Sequence, residues 1–463
     1  MRRAAALAAG LALLAGCTFP PDPSPPKALP PVVAELPLPP MKAFGPVRAL
    51  PPQRANADMA RDFLDLSFNL ESGRSLPVLT RFAGPITVAV TGTHPAVADH
   101  DLDLLLARLR REAHIDVRRA APGDDVSITV AYLPRARMQA VAPAAACFVT
   151  PNVSSWDEYL RVMDGPQSDW AKLDLRRHLA VFIPEDTAPQ DIRDCLNEEL
   201  AQAMGPVNDL YRLPDSVFND DNFHSVLTGF DMLMLRVYND PALANGMTRP
   251  EVAARLPALL ARLNPVGERP GTPPPLPTPE AWKAAVEAAI GPRGSRISRN
   301  AAARRALALA QAAGLDDTRL AYSWYLRARL ALPDETEFAV AALAEADKIY
   351  ALQPAAAIHR ANIALQMAAF ALAANQPEEV IRMADANLPA ARQAQNAALM
   401  AGFMMLKSRA LALQGKPGPA RALWLDSLGW ARYGFGSDRA VRAREAETWA
   451  LTADWAPAGR TGE

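Results

Sequence analysis

The sequence predicts two folded domains of different class, an α+β or α/β domain with a mixed sheet followed by an all-α helical-repeat domain. Apolar residues between about positions 80 and 205 alternate between strand and helix periodicity. Beyond position 280 they recur at helical spacing only. A proline-rich break over residues 264–279 separates the two patterns, and 463 residues suffice for two or three domains.

Each element of the first domain follows from its local pattern. Alternating, β-branched residues predict strands over 86–90, 126–132 and 178–183, and helical periodicity predicts a helix over 97–113. A second helix is predicted over 189–204, because Pro189 suits a first helical turn and Gly205 suits a helix end. This order of elements predicts an α/β sandwich with a mixed sheet.

The second domain shows one helical pattern after another. Breaks at 314–317, 375–377 and 415–417 separate the predicted helices, and the last two breaks lie 40 residues apart, near the period of helix-hairpin solenoids. The small residues Ala420 and Ala422 resemble the close-packing positions of a tetratricopeptide repeat. An irregular helical array is the alternative. A domain of this kind, without a catalytic pattern, is expected to contact an envelope protein partner.

The first 16 residues are typical of a bacterial secretion signal. Two arginines precede an apolar run over residues 4–15, which is too short for a permanent transmembrane helix. The ending Leu-Ala-Gly-Cys, at residues 14–17, resembles the bacterial lipobox, and an ordinary signal peptide with a chance cysteine is the alternative. The resemblance implies cleavage before Cys17 and lipidation of its thiol, hence a membrane anchor in the cell envelope. Thr18 favours the outer membrane, facing the periplasm.

Proline-rich stretches set the predicted domain boundaries. Thirteen prolines fall between residues 18 and 54 without apolar periodicity, which is typical of a semi-rigid tether. The tether is therefore predicted over 17–54 and a linker over 264–279. Between and after them lie the predicted domains, 55–263 and 280–455.

Charge and cysteines constrain the chemistry further. The chain carries 49 Lys and Arg against 50 Asp and Glu and has no basic tract, so no nucleic-acid partner is expected. After Cys17, two cysteines remain, Cys147 and Cys195. In an oxidising compartment an even number favours a disulfide, which would contribute about 4 kcal/mol for a loop of this length. Two free buried thiols are the alternative.

The segment over residues 195–209 contains the candidate site. At 100° per residue, the side chains of Glu198, Glu199 and Gln202 share one face of the predicted helix. The opposite face is apolar and consists of Ile192, Leu196, Leu200 and Ala203. The helix is therefore predicted to pack by its apolar face and to present two carboxylates and an amide on the other.

This spacing resembles the metzincin metalloprotease motif H-E-x-x-H-x-x-G-x-x-H, in which three histidines bind zinc and the glutamate is the general base. The ligand positions here are Glu198, Gln202 and Asn208, and the positions of the catalytic glutamate and the glycine are Glu199 and Gly205. Residues 216–219 resemble the methionine turn of these enzymes, with Phe218 in place of methionine, and residues 227–238 resemble their final helix. The resemblance implies a zincin-like domain over about residues 80–245.

The departures from the motif decide the predicted chemistry. Catalytic zinc needs strong donors, commonly imidazoles, whereas the amides of Gln202 and Asn208 are weak neutral ligands. No metal is therefore expected at the degenerate ligand positions, zinc included, and Glu199 is catalytic only if the site is active. A hydrolase with an unusual site and a chance similarity are the alternatives. His224 is predicted to be structural.

The whole chain is similar to an uncharacterised bacterial lipoprotein family known only as a domain of unknown function. The similarity depends on Cys195 with residues 197–199 and Gln202, on residues 216–220 and on residues 430–436. It implies no activity. The leading hypothesis is a lipid-anchored envelope binding or scaffolding protein with an inactive metalloprotease-like domain. The alternatives are an envelope metallohydrolase acting on peptide or cell-wall bonds and a purely structural spacer.

Overall fold

The chain forms two units in a computed structural model, which describes residues 37–452 except 222, 293 and 354. The α/β unit spans Gly45–Pro277, and the helical unit begins at Thr278 and includes the segment that ends at Phe44. The predicted lipidation site, Cys17, lies outside the described residues. No helix within the described part is both long and apolar enough to cross a bilayer.

The α/β unit contains five strands and seven helices among its described residues. The strands are β1 (Ile86–Thr91), β2 (Val117–Arg119), β3 (Ile128–Leu133), β4 (Phe148–Pro151) and β5 (Leu179–Pro184). The helices are α1 (Asn56–Ser67), α2 (Ala96–Arg108), α3 (Arg135–Gln139), α4 (Trp156–Val162), α5 (Pro189–Met204), α6 (Gly229–Tyr238) and α7 (Arg249–Leu263).

The strands form one mixed sheet in the order β2-β1-β3-β5-β4. β4 is antiparallel to β5 and lies at one edge, whereas the other pairs are parallel. Side chains alternate across β5: Val181 and Ile183 join the main core beneath α2 and α5, while Phe182 packs on the other face with Trp156. The predicted mixed sheet with helices is confirmed.

The predicted elements of this unit lie close to the observed ones, but two strands were not predicted. β2 has only three residues and β4 has four, which leaves no room for a recognisable alternation. β4 also ends in Pro151, and proline is typical of an edge strand because it cannot donate to a neighbour.

The helical unit contains nine helices among its described residues. They are α8 (Glu280–Ile290), α9 (Arg296–Ala312), α10 (Thr318–Arg329), α11 (Thr336–Tyr350), α12 (Ala357–Ala373), α13 (Pro377–Gln393), α14 (Ala397–Leu413), α15 (Pro417–Phe435) and α16 (Asp438–Ala450). Successive helices pack on each other, and α12 also packs on α14, as in a helical-repeat array. The all-α prediction is confirmed.

The helices of this unit begin where the sequence indicated. Asp317 caps α10 by accepting a hydrogen bond from the backbone N–H of Arg319 at 3.0 Å. Pro377 and Pro417 are the first residues of α13 and α15, where the missing N–H costs nothing. Each of the three predicted breaks therefore coincides with a helix boundary.

Part of the predicted tether is folded. Residues 38–44, here called the strap, pack on α15 instead of forming a spacer. The backbone N–H of Lys42 donates to the carbonyl of Gly429 at 3.1 Å, and Arg432 Nη1 donates to the carbonyl of Pro39 at 3.0 Å. The proline content that predicts a tether carries no information about what the segment contacts.

The strap ends in an aromatic contact with the sequence segment 430–436. The ring of Phe44 lies 4.7 Å from that of Trp430 and meets Tyr433 edge-on at 5.5 Å, measured between ring centroids. Phe44 and Tyr433 are buried. Aromatic pairs of this geometry stabilise a fold beyond the burial of their surface. The structural role of segment 430–436 is therefore to receive the strap.

A glycine in the same segment sets how closely two helices approach. A Cβ added to Gly434 would lie 2.5 Å from the backbone nitrogen of Ala398 in α14. Gly434→Ala is expected to destabilise the protein by about 2 kcal/mol, because the backbones must separate. Urea unfolding followed by circular dichroism measures this effect.

Gly418 in the same helix provides the matched control. A Cβ at Gly418 would meet no atom within 4 Å, so Gly418→Ala, in the first helical turn and before Pro419, is expected to change the free energy of unfolding by less than about 1 kcal/mol. Equal effects of the two substitutions would contradict a packing role for Gly434.

Candidate functional site

The candidate site is built on α5, which extends from Pro189 to Met204 as predicted. This helix follows β5 and packs on α2, β4 and β5. Its predicted apolar face is fully buried and consists of Ile192, Leu196, Leu200 and Ala203. The periodicity of the sequence therefore predicted correctly which face of the helix packs against the core.

The polar face of α5 is more buried than predicted. Glu199 and Gln202 expose only 5% and 7% of their surface, whereas Glu198 is half-buried. The edge strand β4 and the loop that follows α5 both contact this face. Helical periodicity identified the polar face but could not show that other segments cover it.

The amides at two of the three degenerate ligand positions make hydrogen bonds within the protein. Gln202 Nε2 donates to Asp209 Oδ2 at 2.8 Å, and Asn208 Nδ2 donates to the carbonyl of Asp65 at 2.9 Å. Both amides lie in buried side chains. These hydrogen bonds stabilise the loop after α5, because leaving the two NH₂ groups unbonded in the interior would cost free energy.

Glu199, at the position of the catalytic glutamate, has an altered protonation state. Burial and, next, the nearby carboxylate of Glu71 raise its pKa to about 8, while the backbone N–H of Val149 donates to its carboxyl and opposes the shift. The carboxyl is therefore mostly protonated at pH 7. A protonated carboxyl cannot accept a proton from water, so Glu199 is unsuited to general-base catalysis at that pH.

Other carboxyl groups gather around Glu199. We call this set the acidic cluster, and its members are Glu71, Asp194, Glu198, Glu199, Asp209 and Asp220. Burial, followed by the charge of neighbouring carboxylates, raises the pKa of Asp194, Glu198 and Asp209 well above their usual values. Three of the six lie on α5; the others come from the turn after α1 and from two loops after α5.

Within this cluster, three carboxylates converge more closely. One oxygen from each of Glu71, Asp209 and Asp220 lies within 4.8 Å of the other two. Among the described residues this is the group of His, Cys, Asp and Glu side chains that could hold a metal ion, and it does not include the predicted ligand position Glu198. Sequence reasoning missed Glu71, because it lies far from the motif and has no pattern of its own.

A disulfide joins Cys147 to Cys195, as predicted. It connects the residue before β4 to the second turn of α5. The strand whose Val149 contacts Glu199 is therefore covalently attached to the helix that carries Glu199. The disulfide and the hydrogen bond together hold the edge strand beside the candidate site.

The turn over residues 216–219 is organised by a buried carboxylate. Ser216 Oγ donates to Asp231 Oδ1 at 2.5 Å, and the backbone N–H of Val217 donates to Asp231 Oδ2 at 3.2 Å. Phe218 is completely buried in the main core, where the resemblance places a methionine. Nearby, His224 Nε2 contacts the carbonyl of Pro214 at 3.0 Å, and His224 does not belong to the converging group of carboxylates.

An arginine that the sequence did not indicate fixes the end of α5. Arg176 is buried, and its Nη1 donates to the carbonyls of Gln202 and Ala203 at 2.7 and 2.9 Å. Its Nη2 donates to the hydroxyl of Tyr238 at 2.8 Å. A cation at this position satisfies the terminal carbonyls and complements the helix dipole.

The helical unit has a small groove that is partly open to solvent. The alternate helices α10, α12 and α14 provide much of its lining, including Tyr325, Asn362, Leu365, Gln366, Gly402 and Met405. Gln366 is buried, and its Oε1 accepts no hydrogen bond from any described residue. The groove therefore combines apolar surface with a buried acceptor.

The α/β unit is thus a disulfide-linked, mixed-sheet domain with a buried acidic cluster. Residues 56–258 match the sequence profile of a family described as "Protein of unknown function (DUF2927)". The match begins at the first residue of α1 and ends within α7, so it covers nearly all of the unit. No curated protein and no solved structure matches the chain. The comparison agrees with the expected similarity to a domain-of-unknown-function family.

Proposed function

We propose that the protein is a lipid-anchored binding or scaffolding protein of the cell envelope, with an inactive metalloprotease-like α/β unit and a helical unit that contacts an envelope protein. The observation that carries the proposal is the state of the polar face of α5. Where a zinc enzyme has strong donors, Gln202 and Asn208 offer only neutral amide oxygens, and their NH₂ groups are held by hydrogen bonds to Asp209 and Asp65. The proposed anchor depends on the lipobox resemblance at residues 14–17.

The order of elements supports a zincin-like origin of the α/β unit. β5, the helix α5, the turn at Phe218 and the helix α6 follow one another in the order that the metzincin resemblance implies. In an enzyme, the glutamate of the motif would deprotonate a metal-bound water. Here burial keeps the corresponding Glu199 protonated at neutral pH, which favours loss of that role.

The edge strand β4 also favours an inactive domain. An exposed sheet edge can bind an extended peptide by main-chain hydrogen bonds. The backbone N–H of Val149 in β4 donates to the Glu199 carboxyl. That donor is therefore already bonded within the protein. A peptide that paired with β4 would have to displace the side chain of Glu199.

The groove of the helical unit supports the binding role. Concave surfaces lined by alternate helices are the usual binding surfaces of helical-repeat proteins. The apolar lining suits the side chains of an extended peptide segment, and Gln366 Oε1 can accept a hydrogen bond from its backbone. The expected ligand is therefore a segment of another envelope protein.

A charge placed at the groove tests this role. Asn362→Arg introduces a long cationic side chain into the lining, so we expect at least tenfold less of any specific partner to be captured with the full-length lipidated protein. A bound segment would have to desolvate the arginine or displace it from the groove, and either change costs free energy. Quantitative mass spectrometry of envelope proteins retained by each variant measures the loss.

Asn387→Arg is the matched control. Asn387 is half-buried like Asn362, and each side chain donates to the carbonyl four residues earlier, at 2.9 and 3.0 Å respectively. Asn387 lies on α13 and does not line the groove. Partners that are lost equally from both variants, or from neither, would argue against the groove as the binding surface.

A further inference from the structure

We infer that Glu71, Asp209 and Asp220 form a binding site for a hard divalent cation of the calcium type. None of these residues occupies a zinc-ligand position of the metzincin resemblance, which falls on residues 198, 202 and 208. The inference is independent of the anchor and of the groove. Its failure would leave the proposed function unchanged.

The geometry of the three carboxylates fits such an ion. An ion that bonds to oxygens at a Ca²⁺–oxygen distance of about 2.4 Å requires them to lie no more than 4.8 Å apart, and the three oxygens meet this requirement. Oxygens at those separations can therefore lie on one coordination sphere. An all-oxygen set of carboxylates is preferred by Ca²⁺ and Mg²⁺, whereas zinc in proteins generally uses nitrogen and sulfur donors.

A second observation concerns Asp209 alone. Its side chain is buried, with 7% of the residue exposed, and Oδ2 accepts the hydrogen bond from Gln202. The other oxygen, Oδ1, is buried and has no hydrogen-bond partner in the described structure. Since a buried carboxylate oxygen without a donor is costly, an unsatisfied oxygen in this group points to a missing ligand.

The neighbours of Asp209 indicate that the missing ligand is a cation. The carboxylates of Asp220 and Glu71 exert the strongest charge effects on Asp209, and the Glu71 carboxyl also lies within hydrogen-bonding reach of it. All three groups are acceptors when ionised, so none supplies a donor to the others in that state. Arg212, three residues further along the chain, pairs with Asp62 and Asp65 instead of with Asp209. A divalent ion would neutralise the mutual repulsion and satisfy Oδ1 at once.

The three ligands come from separate segments, which gives the site a structural role. Glu71 lies in the turn after α1, Asp209 in the loop after α5, and Asp220 beyond the turn that contains Phe218. An ion held by all three would connect these segments beside the polar face of α5. Binding to the folded state alone stabilises a protein by mass action.

Calcium titration of the full-length protein, stripped of metal with a chelator, tests the inference. We expect calorimetry with CaCl₂ to show one saturable site per chain and a dissociation constant below about 1 mM, as in extracellular calcium sites. At saturating calcium the melting temperature should rise by about 5 °C or more. Parallel titrations with MgCl₂ and ZnCl₂ should give weaker binding.

Three variants locate the site. Asp209→Asn and Glu71→Gln should each weaken calcium binding at least tenfold, while Asp174→Asn, a change at a well-exposed carboxylate of the same unit, should leave it unchanged. Glu71 is exposed, so Glu71→Gln decides the question even if Asp209→Asn does not fold. Absence of heat and of any thermal shift at 10 mM CaCl₂, undiminished binding in Glu71→Gln, or tighter binding of zinc than of calcium would each overturn the inference.

Discussion

Glu199→Gln is expected to raise the free energy of unfolding by about 3 kcal/mol at pH 7. The native carboxyl has a pKa of about 8, whereas the unfolded chain restores its usual value of 4.5. At pH 7 unfolding therefore releases a proton, and that release favours the unfolded state of the wild type. Glutamine has no proton to release, and its amide oxygen can still accept the hydrogen bond from Val149.

The same pKa shift predicts a pH dependence. Between about pH 4.5 and 8, native Glu199 holds a proton that the unfolded chain has lost, so its contribution to stability falls as pH rises, by about 1.4 kcal/mol per pH unit. The full contribution is present below pH 4.5. Urea unfolding at pH 5, 6, 7 and 8 should show a shallower slope for Glu199→Gln than for the wild type.

Glu185→Gln is the control for this experiment, because Glu185 is an exposed glutamate in the same unit. It should keep the wild-type slope. Zinc content and hydrolysis of peptides and cell-wall fragments are measured on the same samples. Stoichiometric zinc together with hydrolysis that Glu199→Gln abolishes would replace the binding proposal with the metallohydrolase alternative.

Removing the disulfide should have the largest effect on stability. The double variant Cys147→Ala, Cys195→Ala is expected to lose about 4 kcal/mol, because the crosslink closes a loop with a sequence separation of 48 residues and so restricts the unfolded chain. The loss should be accompanied by weaker attachment of β4 to α5. Hydrogen exchange at Val149, which reports local opening of the edge strand, should then become faster.

Chemical reduction of the wild type provides the comparison for the double variant. Reduced wild type and the double variant should unfold at similar urea concentrations, both well below that of the oxidised protein. Peptide mapping without reductant should recover the fragments of Cys147 and Cys195 as one linked species. Two free thiols in protein isolated from its native source, or equal stability with and without the crosslink, would contradict this expectation.

The sequence predicted the elements whose signals are local. The helix α5 begins at Pro189 and ends before Gly205 as expected, because the constraints imposed by proline and glycine act on adjacent residues. β4 was missed, since four residues at a sheet edge carry no periodicity. Proline content predicts only a spacer for the strap, since Trp430, which Phe44 contacts, lies almost 400 positions away in the sequence.

The candidate site also contains features that the local sequence predicts and features that depend on the fold. The positions of Glu198, Glu199 and Gln202 on one helix face followed from helical geometry. The partners that determine their chemistry did not, since Val149, Asp65 and Glu71 reach this face through the fold. The pairing of Cys147 with Cys195 was favoured by the even number of cysteines that remain once Cys17 is assigned to lipidation. Arg176 had no local pattern, although it fixes the end of the helix.

The strap also has a consequence for the order in which the protein is made. Pro39 and Arg432, which bond to each other, are 393 residues apart, so at about 5 to 20 residues per second the ribosome adds the second about 20 to 80 s after the first. During that interval the whole α/β unit emerges, while Phe44 has no aromatic partner to cover it. The contacts between the strap and α15 are thus among the last that a nascent chain can form. A prematurely terminated chain would expose Phe44 and differ from the finished protein in a feature that proteases and chaperones can recognise.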